Sequence, residues 1–336
     1  MENLEKLLVG LAAGDGLGST SEFTGQVNIP ALYYQQSKYG WPFKQIGGGA
    51  FACEPGEHTD DTSMALCLYE SFKEHGQFDP VDVTKRFVAW FHSRPKDMGG
   101  TTSRTLGAAA NGYPWHECGL QDYSRDPNVA SNGSLMRNGV VPGMATSLQE
   151  AFSISIKHGL ITHYAPLPQL CCAAQSYLIW RLLEGREIEE MWQDAFFNHF
   201  LRWIKETKDV YVHKWLYNVK DRLPEAAETF LKANWDPHSF TPFGIQFIGR
   251  VGYCLLTLQI AVWALYWSLA KKPFETPRGF PEEPFKRGGP DVLGWVALVG
   301  YDSDTYAATA GPLIMAAHGS LPQDLIDDLH VWEKIQ

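Results

Sequence analysis

Apolar residues recur along this chain at intervals of three and four and almost nowhere in strict alternation, a pattern that packed helices satisfy and sheets do not. Leu4, Leu7, Leu8 and Leu11 make one face of an opening helix that is expected to end near Gly14 to Gly18. Thr62 to Lys73 places Ala65, Leu68, Tyr69 and Phe72 on a stripe, with Gly76 as its stop. Pro80 to Ser93 repeats the pattern with Val83, Phe87, Val88 and Phe91 behind a proline suited to a first turn. Further helices are predicted over 148–158, 168–184, 188–206, 209–219 and 250–270, and a last strong one from Asp304 to Gly319. No Gly-x-Gly-x-x-Gly follows an alternating apolar run, so a dinucleotide-binding sheet has little support. The expected fold class is all-α, one helical globule spanning residues 1–336.

Turn-rich segments at 19–60, 93–136 and 272–303 hold most of the Gly, Asp, Ser and Asn residues that could do chemistry, and they are expected to converge and carry the site. The segment at about 186–248 differs in texture, being rich in Trp, Lys, Phe and His, and is read as a helical insertion. Prolines between 273 and 290 exclude a regular helix there.

Composition narrows the function classes. A 45% hydrophobic, 20% charged and 13% aromatic chain of 336 residues can bury a large core and is not disordered by composition. Its formal net charge of -10 argues against broad electrostatic capture of nucleic acid or of an anionic membrane. The cysteines Cys53, Cys67, Cys118, Cys171, Cys172 and Cys254 have no metal-type spacing and read as reduced, buried residues, which gives a cytoplasmic expectation. The N-terminal apolar stretch lacks a basic leader. Val251 to Ala270 is long and apolar enough to span a bilayer, but one span would put residues 60 and 302 on opposite sides, so a buried helix is preferred.

That preference matters because of two acidic clusters. Thr59-Asp60-Asp61-Thr62 opens a predicted helix after the turn Glu54-Pro55-Gly56-Glu57. By itself it reads equally as a helix cap with a carboxylate complementing the positive helix end. Asp302-Ser303-Asp304-Thr305 repeats the composition at a second helix start more than 200 residues on. If the two meet, four carboxylates crowd one pocket and cations must relieve their repulsion. Hard oxygen ligands favour Mg²⁺, Mn²⁺ or Ca²⁺, and no His or Cys spacing suggests zinc. Two loops could flank such a site. Ser131-Asn132-Gly133-Ser134-Leu135-Met136-Arg137 combines amides free to approach phosphate with an arginine, and Met98-Gly99-Gly100-Thr101-Thr102-Ser103 could bind an anion before a helix. Each also reads as an ordinary turn.

In their order, the segments Gly10 to Gly18 with Glu22 behind, His58 to Thr62, Asn132 to Arg137, Thr162-His163, and Gly300 to Thr305 with Ala307, Ala308 and Gly311 resemble the motifs of the ADP-ribosylglycohydrolase family. The resemblance covers nearly the whole chain. It implies an orthogonal all-helical fold with a binuclear Mg²⁺ site, Mn²⁺ being an admissible substitute, held by Thr59, Asp60 and Asp61 from one side and Asp302, Asp304 and Thr305 from the other. Glu22, Asp61 and Asp304 are then the expected catalytic residues. Gly99, Gly100, Ser131, Asn132, Gly133 and Ser134 match positions that hold diphosphate or ribose, and His163 matches a substrate-side histidine. The implied reaction is hydrolysis at C1 of the distal ribose, and the implied partner an ADP-ribosylated protein or another ADP-ribosylated acceptor, arginine favoured. A cognate ADP-ribosyltransferase belongs to the same expectation, and a modified nucleobase stays open as acceptor. The alternative is a non-catalytic ADP-ribose binder or toxin-neutralising immunity protein of the same fold. Three positions depart from the pattern: His58 replaces an aromatic residue, Tyr306 an asparagine, and Pro312 is expected to interrupt the last helix.

Overall fold

The computed structural model of the chain describes residues 2–187, 192–244, 251–280 and 288–335. Its helices run in chain order as α1 (Glu2–Ser19), α2 (Ile29–Gln36), α3 (Asp60–His75), α4 (Pro80–His92), α5 (Gly100–Ala110) and α6 (Trp115–Arg125). They continue as α7 (Val141–Met144), α8 (Leu148–Leu160), α9 (Pro166–Leu183), α10 (Trp192–Glu206), α11 (Val210–Val219) and α12 (Leu223–Lys232). The chain closes with α13 (Cys254–Leu269), α14 (Val292–Ala297), α15 (Ser303–His318), α16 (Gln323–Ile326) and α17 (Trp332–Ile335). No strand occurs among the described residues, where extended pairing is confined to isolated bridges such as Glu22 with Tyr301 and Ser131 with Tyr253. The fold class is all-α, as the periodicity requires.

Backbone contacts divide the chain into two compact units, one of Met64–Ala233 with Tyr253–Leu255, the other of Glu2–Ser63, Asn234–Gly252 and Leu256–Gln336. The second unit is organised around α1 and α15, and small residues decide how they meet. A Cβ at Gly14 would lie 2.0 Å from the Ala307 carbonyl oxygen, one at Gly18 2.3 Å from that of Ser303, and one at Gly311 1.9 Å from that of Gly10. With glycines four apart on α1, the two helices therefore touch backbone to backbone, which larger side chains would forbid. α15 runs on through Pro312 instead of breaking there. Gly311 has no Cβ for the proline ring to strike, and the helix ends at Gly319 in the left-handed conformation (φ 74).

In the first unit, helix starts are set by local caps: Asp79 accepts from the amides of Val81 and Asp82, and Ser147 from that of Glu150, whose own carboxylate accepts from the Thr146 amide. The aromatic texture of 186–248 proves to be core: Phe196, Phe200 and Trp203 of α10 pack on Phe152 of α8. Residues 188–191 and 245–250 of that segment, and 281–287 of the proline-rich loop, lie outside the described residues.

The segments expected to be mostly turns contain α2, α5, α6 and α14. α5, with two glycines and four Ser or Thr, has poor intrinsic helicity. Tertiary contacts hold it: Thr102, Thr105 and Leu106 are buried, and Arg104 pairs with Asp122 of α6 at 2.6 Å. The apolar stretch at 251–270 forms the buried α13, its predicted start at Arg250 lying outside the described residues. Among the described residues no helix is long and apolar enough to cross a membrane.

Candidate functional site

Asp15 is a lone carboxylate in an otherwise apolar part of α1, and it is fully buried. A buried charge must be met by donors. Its Oδ1 accepts from the Thr59 amide at 2.9 Å, and its Oδ2 from the Thr62 amide at 3.0 Å and the Thr62 hydroxyl at 2.6 Å. A residue of α1 thus caps the start of α3, and the capping role that the Thr59-Asp60-Asp61-Thr62 cluster could have filled is already taken. Asp60 and Asp61 are left to face the interior.

α15 brings the second cluster to them. One carboxylate oxygen each from Asp60, Asp61 and Asp304 lie within 4.8 Å of one another, as do those of Glu22, Asp302 and Asp304. Thr305 is buried beside them on the same helix, and Asp302 precedes α15 without making a side-chain cap bond. The Thr59 hydroxyl lies 2.8 Å from Asp15 Oδ1, 3.0 Å from Asp61 Oδ2 and 3.3 Å from Asp304 Oδ2, one proton before three carboxylate oxygens. Asp61 Oδ1 and Asp304 Oδ1 are buried with no hydrogen-bond partner. Burial pushes the Asp61 carboxyl well above the ordinary range, helped by the negative charges of Asp15, Asp60 and Asp302. Asp304 is raised the same way, by burial first and then by Asp61 and Glu22. The donor set is all oxygen and short of positive charge, which suits hard divalent cations.

Glu22 is held in place by the backbone around it. The Phe23 amide donates to the Tyr301 carbonyl at 2.6 Å and the Tyr301 amide to the Thr24 carbonyl at 2.9 Å. Both Phe23 (φ 59) and Tyr301 (φ 58) take the left-handed conformation. Glu22 and Asp302 are thereby fixed as neighbours of one short bridge.

The first unit collects the other expected residues. His163 Nδ1 lies 2.8 Å from the Thr162 hydroxyl, which also accepts from Arg137 Nη2 at 2.6 Å, and His163 Nε2 lies 2.9 Å from the Ser131 hydroxyl. Since the Ser131 hydroxyl donates its proton to the Thr101 hydroxyl at 3.1 Å, it is assigned as the acceptor of Nε2–H, which leaves Nδ1 to accept from the Thr162 hydroxyl. Burial, then the Arg137 and Arg104 charges, keep His163 well below the usual histidine range. A Cβ at Gly133 would lie 2.9 Å from the His163 ring and 3.0 Å from the Thr102 hydroxyl, so a larger residue there would have to displace the histidine. Asn132 is buried, and Ser134 is turned into the core, 3.5 Å from the Cys172 thiol. Gly99 and Gly100 are exposed at the start of α5 with no side-chain cap.

Arg137 departs from its expected role as a partner for phosphate or a cluster carboxylate. It is fully buried over the Phe87 ring, donating to the carbonyls of Gly133 and His158 and to Thr162, so it braces the loop from beneath. Tyr306 is likewise fully buried. Asp15 went unassigned in the sequence, though a charged residue on an apolar helix face is a signal in its own right.

The description of the ADP-ribosylglycohydrolase family matches residues 2–336. The chain is 27% identical over 348 residues to the ADP-ribosylarginine hydrolase Tri1 of Serratia proteamaculans, covering 99% of this chain and 78% of that protein. It is 31% identical over 190 residues to the ADP-ribosyl-[dinitrogen reductase] glycohydrolase of Rhodospirillum rubrum, covering 56% of this chain and 60% of that one. A solved structure, an ADP-ribosylglycohydrolase-related protein complex, superposes with a TM-score of 0.63 over 99% of this chain and 94% of its own at 23% identity, a likeness of fold. With a family match along its length and both acidic clusters gathered in one place, the chain belongs to the ADP-ribosylglycohydrolase family.

Proposed function

We propose that this protein hydrolyses the bond between C1 of ADP-ribose and an acceptor, arginine-type favoured, and so reverses ADP-ribosylation of a protein. The observation that carries this reading is the buried carboxylate cluster in which one Thr59 proton faces three oxygens. Relatives named as hydrolases of ADP-ribosylarginine and of ADP-ribosyl-dinitrogen reductase support it.

The residues that would hold two Mg²⁺, or Mn²⁺ in their place, are Thr59, Asp60, Asp61, Asp302, Asp304 and Thr305. Bound there, the cations would neutralise the cluster and supply Lewis acidity toward ribose hydroxyls and water. Glu22 accepts one proton of the attacking water as its oxygen bonds to C1, the C1–acceptor bond breaks with its electron pair going to the acceptor, and the acceptor takes up the proton that Glu22 gives back. Asp61 and Asp304 stabilise the positive charge that develops at C1. Gly99, Gly100 and the Ser131–Ser134 loop, with His163 behind it, are the candidate contacts for the rest of ADP-ribose.

The test is turnover of ADP-ribosyl-arginine with Mg²⁺, with Mn²⁺ and with EDTA, alongside ADP-ribosylated serine and nucleobase substrates. Undiminished turnover in chelator ends the metal assignment. An Asp304→Ala protein that loses turnover but keeps its affinity for ADP-ribose marks an enzyme, whereas a parent that binds ADP-ribose and never turns over is the non-catalytic binder.

A further inference from the structure

A cavity of about 790 Å³ opens beside the acidic cluster, lined by Glu22, Phe23, Tyr39, Lys44, Gly48 and Asp328 among others. Glu22 belongs both to this lining and to the group it forms with Asp302 and Asp304. A substrate bond cleaved at Glu22 has two sides, so the cavity takes either the ADP-ribose or the acceptor. The geometry points to the acceptor, with Phe23 as the residue that sets acceptor preference, an inference that rests on the function proposed above.

Charge selects between the two sides. The named lining sets one ammonium, Lys44, against two carboxylates, Glu22 and Asp328. That balance repels a diphosphate and favours a cationic guanidinium. Phe23 adds a surface suited to such a group. Its side chain is 61% exposed, and its ring meets Phe51 edge-on at 5.8 Å. An exposed aromatic ring offers its face to a planar cation.

The backbone that carries the ring is held in an imposed conformation. An aromatic residue at φ 59 is an uncommon and strained choice, held here because hydrogen bonds to Tyr301 clamp the backbone of Phe23 and Thr24. Elsewhere in the lining, Gly47 and Gly49 admit no side chain, since a Cβ would lie 2.4 Å from the Cys53 oxygen and 1.9 Å from the Ser19 oxygen. Gly48 has open space around it. Glycines at these positions leave backbone without side chains in the lining, which a polypeptide carrying the modified side chain can approach closely.

Phe23→Asn and Phe23→Gly both suit a left-handed backbone while removing the ring, and Phe23→Tyr restores an aromatic face. The measurement is kcat and KM on ADP-ribosyl-arginine and on an ADP-ribosyl-serine peptide, with the Kd for free ADP-ribose and the melting temperature of each protein. The expected result is a roughly tenfold rise in KM for ADP-ribosyl-arginine in the Asn and Gly variants. The serine substrate and ADP-ribose affinity should change less than about twofold, and Phe23→Tyr should behave as the parent. Asp328→Asn, which leaves Phe23 in place, should raise the same KM. Equal losses on both substrates, weakened ADP-ribose binding, or no change at all would overturn the acceptor assignment while leaving the hydrolase reading intact. A parent protein inactive on every ADP-ribosylated acceptor would overturn both.

Discussion

Asp15 and Thr62 are joined twice through one oxygen: Asp15 Oδ2 accepts the Thr62 hydroxyl at 2.6 Å and the Thr62 amide at 3.0 Å. The start of α3 is therefore oriented by a side chain of α1, and the carboxylates that follow Thr59 are aimed by it. Hydrogen bonds to a buried charge contribute about 1.5–3 kcal/mol each, not additively. Asp15→Ala should cost about 3 kcal/mol and abolish turnover of ADP-ribosyl-arginine. Asp15→Asn, which keeps one acceptor but points an NH₂ at donors, should fall between. Thermal melts and the hydrolysis assay check both, and a fully active Asp15→Ala protein would show that α3 needs no such anchor.

Cation addition should stabilise the fold. Asp61 Oδ1 and Asp304 Oδ1 are buried without donors, so an ion bound there satisfies groups that are otherwise costly to bury. Millimolar Mg²⁺ should raise the melting temperature of the parent over its value in EDTA by several degrees, about 2–4 °C per kcal/mol. Asp61→Asn and Asp304→Asn, with less repulsion to relieve, should melt higher than the parent in EDTA and gain little from Mg²⁺.

The buried histidines should withdraw stability on mild acidification, against the raised Asp61 and Asp304 carboxyls, which bind protons more readily folded than unfolded and so add stability as pH falls. His158 and His163 are buried, and burial holds both well below the usual histidine range, with the Arg137 charge as the next cause. At these two histidines the unfolded chain takes up protons near pH 6.5 that the folded state refuses, so their share of stability is full above that pH and declines as pH falls below it. One pH unit lower, each histidine should cost up to about 1.4 kcal/mol. Urea titrations of the parent and of His158→Gln at pH 7.5 and 5.5 isolate the histidine share: acidification should be less destabilising to the variant, which keeps a polar partner near Asn138 Oδ1 (2.9 Å from Nε2 in the parent), than to the parent.

Two glycine substitutions should act oppositely. Gly14→Ala puts a Cβ 2.0 Å from the Ala307 carbonyl oxygen and must push α1 from α15. It should destabilise by about 3 kcal/mol or more and impair activity, because the same helices carry Asp15 and Asp304. Gly107→Ala, in α5 with nothing within 4 Å of the new atom, should stabilise by about 0.5–1 kcal/mol and leave activity unchanged. Paired denaturation curves decide, and two effects of the same sign would contradict the packing argument.

What the sequence determined by itself is local and periodic. The helical stripes placed α1, α3, α4, α8, α9, α11 and α15 within a few residues, because amphipathic spacing and capping are properties of neighbouring residues. The two acidic clusters were visible for the same reason, as chemistry concentrated in four-residue runs. Tertiary structure decided the rest. Whether Thr59 to Thr62 capped a helix or faced a pocket depended on Asp15, 44 residues away from Thr59 along the chain, and no local pattern encodes an acceptor that distant. Arg137 looked like a phosphate ligand until the packing of Phe87 and Thr162 buried its guanidinium. Pro312 looked like a break, yet α15 runs on through it, with a glycine before it that offers the proline ring no Cβ to strike. Helices such as α5 form although their residues have little intrinsic preference for helix, since burial and the Arg104–Asp122 pair supply the stabilisation that propensity withholds.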